Sequence, residues 1–181
     1  MPTHATIRIA TPADAPALTQ LAQLTYQVAF GASMSDEALQ AHIDTTLSAS
    51  AIMTFIKDDV VLVAIADSML IGYCHISQAG ANIKDTLPTA DPDNSAYLQR
   101  LYVHPDQQNE GIGSTLLKAA LKHPLLADAE NVYLDVWEKN TGAQKLYARH
   151  GFQRVGEIRY VDASGNEGDL DYIMGRPKIA T

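Results

Sequence analysis

Cysteine is nearly absent. Cys74 stands alone, so no intrachain disulfide can form and no thiolate metal cluster can assemble. The six histidines, at positions 4, 42, 75, 104, 123 and 150, show no short ligand spacing, and no metal is expected. Basic residues are outnumbered, 13 Lys and Arg against 21 Asp and Glu, leaving a net charge of −8. That balance argues against general binding of nucleic acid or of an anionic membrane. It suits a cationic substrate, and equally a protein made acidic for solubility. Long apolar runs are missing too: none approaches the roughly 20 residues of a membrane span. The opening MPTHATIRIA lacks the basic-then-apolar order of a signal peptide, so a cytoplasmic protein is expected. Repeats, low-complexity tracts and linkers are absent, and 181 residues with 46% hydrophobic content suit one globular domain over 1–181.

What is present alternates between strand and helix signals. ATIRIA (5–10) reads as a short strand. Residues 11–30 open with helix-start chemistry: Thr11 as cap, Pro12 in the first turn, Asp14 facing the helix dipole. Leu18, Leu21, Ala22, Leu24 and Val28 then give an apolar face, and Gly31 stops it. A second helix starts at Ser35 and runs through Leu39, Ile43 and Leu47, with Asp36 and Glu37 in its first turn. Strands are expected at 60–67 and 69–79, joined by a hairpin turn at Asp67–Ser68. Residues 80–95, with Pro88, Pro92 and three Asp, read as an exposed loop. A strand at 96–105, a helix at 111–122, a strand at 131–137 and a helix from Asn140 to His150 follow, the last closed by Gly151. A final hairpin covers 152–160 and 169–175, turned at Ser164–Gly165–Asn166. The order, antiparallel first and then strand–helix–strand–helix, predicts a single mixed α/β sheet with helices on both faces.

Two stretches carry chemistry. In HPDQQNEGIGSTLL (104–117), Gly111 and Gly113 stand at the mouth of a helix, where a glycine costs roughly 0.5–1 kcal/mol relative to alanine. The first amides of a helix have no acceptor inside it and carry the positive end of its dipole. Glycines let the chain turn sharply and leave that backbone bare, so the segment reads as an amide cradle for phosphate or else as a glycine helix entry with no ligand. No lysine or arginine lies between His104 and Lys118, and GxxxxGK[ST] is absent, so this is not a nucleotide P-loop. In the second stretch Asn140 precedes Tyr147 by seven residues, nearly two helical turns, which projects both from one side. Asn140 also reads as an ordinary cap, and Tyr147 as an ordinary half-buried aromatic.

Together these residues resemble the GNAT superfamily of N-acetyltransferases. Its signature [QR]-x-x-G-x-[GA] stands as QNEGIG, Gln108 to Gly113, and its later Asn, Ala, Tyr and Gly-Phe stand as Asn140, Ala143, Tyr147, Gly151 and Phe152. LYV (101–103) sits where that family binds a pantetheine arm. NxxAxxLYxxxGF after VWEK, the TYQVAF segment and the closing GDLDYIM look most like the bacterial spermidine/spermine acetyltransferases. The resemblance implies a mostly antiparallel twisted sheet whose central parallel strand pair splays to admit acetyl-CoA.

It also implies direct acetyl transfer from acetyl-CoA, as co-substrate, to a small-molecule primary amine, a polyamine among the candidates, by a monomer or homodimer. Backbone groups of Gln108, Asn109, Glu110, Gly111, Ile112, Gly113 and Ser114 would hold the pyrophosphate. Leu101, Tyr102 and Val103 would hold the pantetheine. Asn140 would bind that arm or fix the leaving sulfur, and Tyr147 would protonate it. The acceptor must be neutral to attack, which costs roughly 4–5 kcal/mol at pH 7 for an amine of pKa about 10.4. Many relatives carry a strand glutamate for this, as in E-L-x-R-L-Y-V. Here Tyr97-Leu98-Gln99-Arg100-Leu101-Tyr102-Val103 has none, so His75, Asp135, Glu138 or a water chain are the candidates, with His104 read as a loop residue. Tyr26 and Phe30, one helical turn apart, are the candidate acceptor contacts or else core residues. Asp36, Glu37 and Asp44 form either an attracting patch or a solvated helix face. Two other functions fit the same residues: acetylation of a protein N-terminus or lysine, and a non-catalytic acyl-CoA sensor.

Overall fold

The computed structural model of the chain describes residues 5–80, 83–161 and 167–178. Seven strands, β1 (Thr6–Ile9), β2 (Val60–Ala66), β3 (Met69–Gln78), β4 (Ser95–Val103), β5 (Asn131–Trp137), β6 (Gln153–Val161) and β7 (Glu167–Pro177), hydrogen-bond in the order β1-β2-β3-β4-β5-β7-β6. The pairs β1·β2, β2·β3, β5·β7 and β6·β7 are antiparallel, and β4·β5 is parallel. The sheet is therefore mixed and mostly antiparallel, as expected. The parallel ladder is short: it pairs Ser95 with Asn131, Ala96 with Val132 and Tyr97 with Tyr133, then ends, while β4 runs on to Val103 and β5 to Trp137. That is the splayed central pair.

The chain divides into two compact units, Met1–Ile76 with Arg100–Leu121, and Ser77–Gln99 with Lys122–Thr181. The first holds α1 (Ala15–Phe30), α2 (Asp36–Thr46), α3 (Ala49–Asp58) and α5 (Ile112–Lys122) but for its last residue. Leu18, Leu21 and Ala22 of α1 and Ile52 of α3 close a core on Val61, Val63 and Tyr73. Burying each such aliphatic chain contributes about 1.5–3 kcal/mol. Tyr73 and Gly72 are neighbours in β3 and so point to opposite faces. Leu116 of α5 lies over Gly72, which places α5 on the face opposite α1 and α3. Local chemistry fixes the start of α1. Thr11 donates its backbone N–H to Asp14 (2.7 Å), and Arg8 holds the same carboxylate through two bonds of 2.7 and 2.8 Å. These bonds, the Arg8 guanidinium foremost, hold the Asp14 carboxyl far below the usual carboxylate range. Asp67 and Ser68, at φ 49° and 66°, make the expected tight hairpin between β2 and β3.

The second unit packs Ala79, Ile83, Ala90, Tyr133 and Ile173 together, with Leu87, Tyr97 and Ile158 around them. Its helices are α4 (Ile83–Thr86), α6 (Pro124–Ala127) and α7 (Thr141–Arg149). Gly151 at φ 88° ends α7, and its N–H bonds to Ala148 O at 3.1 Å, the glycine stop that the sequence predicts.

One expectation is corrected, and two helices stand where the sequence carried no reading. The helix expected from Ser35 through Leu47 is α2, capped by Ser35 at its start and by Leu47 at its end. Ser48 then caps a separate α3, accepting from Ala51 N at 3.2 Å. Residues 80–95 are not simply an exposed loop: α4 and a 3-10 turn at Pro92–Asn94 occupy part of the segment, and Ile83 and Ala90 are buried. Lone apolar residues among turn formers give no periodic signal, so only the core reveals them. The helix α6, capped by His123 (Leu125 N to Nδ1, 3.2 Å), was not foreseen. The turn expected at Ser164–Gly165–Asn166 lies outside the described residues. Among the described residues no helix is long and apolar enough to cross a membrane.

Candidate active site

In the first unit β4 ends at Val103, a 3-10 turn follows at Pro105–Gln107, and α5 starts at Ile112. His104 caps the turn, its Nδ1 accepting from Asp106 N at 3.3 Å, so it belongs to the loop as expected. Asn109 (φ 65°) and Gly111 (φ 84°) both take left-handed backbone. A Cβ on Gly111 would meet nothing within 4 Å, so the backbone conformation rather than crowding demands glycine there. Gly111 O accepts the Thr115 N–H at 3.0 Å, the first bond of the helix. The amides of Ile112 and Gly113 thus lie in the first turn, where the helix offers no acceptor. The Gln108 side chain turns back and donates to Val103 O at 3.3 Å, tying the loop to the strand it leaves.

That strand and α5 approach each other closely. A Cβ on Gly72 of β3 would lie 3.0 Å from Leu116 Cδ1, 3.1 Å from Tyr102 O and 3.5 Å from Val103 Cγ2. Gly72 therefore sets how tightly β3, β4 and α5 pack around residues 101–103. An isolated glycine inside a strand is the signal that marks such an approach.

Tyr26 and Phe30 come together with ring centroids 4.7 Å apart, and Tyr26 stacks on His42 at 4.1 Å with planes 7° apart. The Tyr26 hydroxyl meets Met34 Sδ at 3.7 Å. His75, one of the candidate bases, is 2% exposed. Its ring stacks on Phe55 at 4.5 Å, Arg100 donates to Nδ1 at 3.1 Å, and Nε2 lies 2.8 Å from Asp59 Oδ2. Because arginine only donates, Nδ1 must accept and Nε2 carries the proton. Burial first, and the Arg100 charge second, hold the pKa below the usual histidine value against the pull of Asp59. A neutral imidazole with both nitrogens engaged has no lone pair left for an amine. The sequence placed His75 on a strand but not in this network, which joins residues up to 45 positions apart. Cys74 is fully buried and its thiol is pushed up to about 12, so it is no nucleophile.

In the second unit Asn140 caps α7, its Oδ1 accepting from Ala143 N at 3.1 Å. Tyr147 is 6% exposed and meets the Phe152 ring edge-on at 5.9 Å. Asn140 is exposed while Tyr147 is buried, so seven-residue spacing puts them on one helix but not in one environment.

A pocket of about 320 Å³ opens elsewhere in this unit, lined by Gly80, Ile83, Asp85, Thr86, Tyr97, Gln99, Asp135 and Ile158. Within it the Tyr97 hydroxyl donates a hydrogen bond to Asp135 Oδ1. Partial burial pushes the Asp135 carboxyl up, and the Tyr97 hydroxyl pulls it back. Burial and the neighbouring Asp135 charge push the Tyr97 phenol up, so it stays protonated. Burial first, then Asp135, Asp169 and Glu138, push Asp171 up to about 6. Glu138, another candidate base, sits past the end of β5, with its backbone N–H on Leu170 O at 2.9 Å. Among the described residues no lysine, arginine or histidine lines the pocket. Among the described residues no group of three or more His, Cys, Asp or Glu is gathered to hold a metal ion.

A family model described as Acetyltransferase (GNAT) family matches residues 15–152, and the chain belongs to that family. It is an N-acetyltransferase, with acetyl-CoA as its co-substrate. An N-alpha-acetyltransferase of Sulfurisphaera tokodaii is 32% identical over 118 residues, 64% of this chain and 67% of that protein. A spermine/spermidine N(1)-acetyltransferase of Bacillus subtilis is 35% identical over 77 residues, 40% of this chain and 51% of that protein. The PaiA N-acetyltransferase of Thermoplasma acidophilum, solved in complex with coenzyme A, shares the fold at TM-score 0.74 and 24% identity, over 96% of this chain and 99% of that one.

Proposed function

We propose that this N-acetyltransferase acts as one catalytic domain over residues 1–181 and acetylates a small cationic primary amine, of the polyamine class, by direct transfer. The observation that carries the reading is the pocket holding Asp85 and Asp135 with no basic side chain among the described residues of its lining. Those residues offer an entering ammonium ion carboxylates, hydroxyls, an amide and apolar groups. The net charge of −8 works in the same direction at long range. The Bacillus relative supports the class, and the archaeal relative names the competitor, a protein N-terminus.

The roles follow from the chain's own groups. The bare amides that begin α5, opened by Asn109 and Gly111, suit a pyrophosphate. Backbone groups of Leu101, Tyr102 and Val103 pair with an extended pantetheine arm in this reading. Asn140 spends its oxygen on capping and keeps its NH2 to donate to that arm or to the leaving sulfur. Tyr147, a phenol protonated at neutral pH, supplies the proton that the departing thiolate needs. Tyr26 and Phe30 offer aromatic surface to the acceptor. The burial of Cys74 speaks for transfer without an acyl-cysteine.

The test is thiol release from acetyl-CoA with spermidine, spermine, a neutral-range amine and a peptide bearing a free N-terminus. Spermidine or spermine should give the highest kcat/KM, falling as salt rises. Preference for the peptide, or a salt-independent preference for the neutral-range amine, overturns the polyamine reading.

A further inference from the structure

The strand that carries a glutamate in many relatives carries Tyr97 at that place here, and a phenol kept protonated cannot take a proton from an amine. The geometry points to Asp135 of β5 as the catalytic base that deprotonates the acceptor, with Tyr97 as the residue that positions it. The inference rests on the reading of the acidic pocket as the acceptor site.

Four observations carry it. Asp135 lines the pocket itself, so its carboxylate is open to an entering ligand. The Tyr97 hydroxyl holds Oδ1, while Oδ2 has no hydrogen-bond partner among the described residues. The pair stands where the parallel ladder ends: Tyr97 faces Tyr133 in register, and Asp135 is two residues further along β5, beyond the last β4 pairing. Ligand sites in α/β sheets favour such open carboxyl ends of diverging parallel strands. The remaining candidates are placed otherwise, His75 with both nitrogens engaged and Glu138 past the strand end.

In the step, an ammonium N–H donates to Asp135 Oδ2 and its proton moves there, leaving a neutral amine and a carboxylic acid. The amine nitrogen then forms the N–C bond to the acetyl carbonyl as the C–S bond breaks. The thiolate takes a proton from Tyr147, the nitrogen's second proton restores the Tyr147 phenol by way of solvent, and Asp135 returns its own proton to solvent. The balance is acetyl-CoA plus ammonium giving amide, free thiol and one proton. Among the described residues Tyr97 on β4 and Asp171 on β7 face Asp135, Asp85 on α4 shares its pocket, and Asp169, Glu138 and Tyr160 act on those neighbours. Burial raises the Asp135 carboxyl above its ordinary value, against the Tyr97 hydrogen bond, which is the direction that strengthens a base.

The experiment is the pH profile of kcat/KM for the parent, Asp135→Asn, Tyr97→Phe and Asp171→Asn, on whichever primary amine the parent turns over. Failure of the polyamine reading alone therefore leaves the test intact. Asp135→Asn should lose about 10²–10⁴-fold at pH 7. Its rate should climb about tenfold per pH unit toward the amine pKa, about 10.4, and converge on the parent there, because the amine is then already neutral. Tyr97→Phe removes a hydrogen bond that favours the ionised carboxylate, so its acidic limb should move to higher pH. Acetyl-CoA affinity by calorimetry should stay parental in both. A deficit in Asp135→Asn equal at all pH values, a rise in KM alone, or a loss that follows Asp171→Asn instead overturns the assignment. If Asp135→Asn does not fold, an unmoved limb in Tyr97→Phe overturns it. A parent that acetylates no primary amine overturns both this and the reading beneath it.

Discussion

Replacing Gly72 by alanine tests how the donor half of the site is held. The added Cβ would stand 3.0 Å from Leu116 Cδ1 and 3.1 Å from Tyr102 O. Both distances ask the neighbour to retreat by a few tenths of an ångström. Tyr102 O is backbone near the end of β4 and has no rotamer to change. Leu116 is 0% exposed and has no space to swing into. Overpacking of this kind costs roughly 1–3 kcal/mol. The lower entropy of the unfolded alanine chain returns roughly 0.4–1 kcal/mol. The difference leaves a net loss of roughly 0.5–2 kcal/mol, or about 1–8 °C in Tm at 2–4 °C per kcal/mol for a chain of this size. The strain falls on β4 and α5, which flank the 104–111 loop, so acetyl-CoA affinity should drop about 3–10-fold as well. Thermal unfolding with and without saturating acetyl-CoA, together with calorimetric titration, reads both quantities. Gly72→Val should be worse on each. A Gly72→Ala protein melting at or above the parental temperature refutes the close-packing argument, and a lowered Tm with parental affinity refutes its link to the donor site.

Gly111→Val should lower stability by roughly 1–2 kcal/mol through backbone strain at φ 84° and acetyl-CoA affinity by at least about tenfold; calorimetry showing parental affinity would remove the loop as the phosphate cradle. Tyr147→Phe keeps the ring against Phe152, so single-turnover acetylation should fall by about 10²–10⁴ with affinity unchanged, and parental single-turnover rates would end its role as the acid. Asp14 has a folded pKa depressed by Arg8 and Thr11, so its contribution is present above the unfolded value of about 3.9 and is lost as pH falls toward the folded one. Asp14→Asn should accordingly be less stable at pH 7 and lose less on acidification below pH 4; parallel stability curves for the two proteins would contradict this.

Features made by neighbours in sequence were legible in it. Gly151 and the Asp67–Ser68 turn depend on backbone preferences of one or two residues, and Asp14 is a helix-start residue before it is anything else. Gly111 was legible for the same reason, since left-handed backbone before a helix is a local demand. Features made by packing were not. The helix after Ser48 had no reading in the sequence, and it is held by Ile52 packing into the core at 1% exposure. Asp59, His75 and Arg100 form a network that no spacing announces.

The Tyr97–Asp135 pair shows what decides such a site. The two residues are 38 positions apart, and neither belongs to a motif. They meet because Tyr97 pairs with Tyr133, and side chains in a strand return to the same face every second residue. Asp135 therefore shares a face with Tyr97. A register slip of one residue would carry Asp135 to the opposite face and leave the phenol without its carboxylate. The register is set by the apolar face that packs Tyr133 against Ala79, Ile83 and Ile173, none of which has a group that reacts. A carboxylate missing from β4 can thus be supplied by β5 without any change in the motif that marks the family. The core that holds the register is then as much a condition of the chemistry as the residues that perform it.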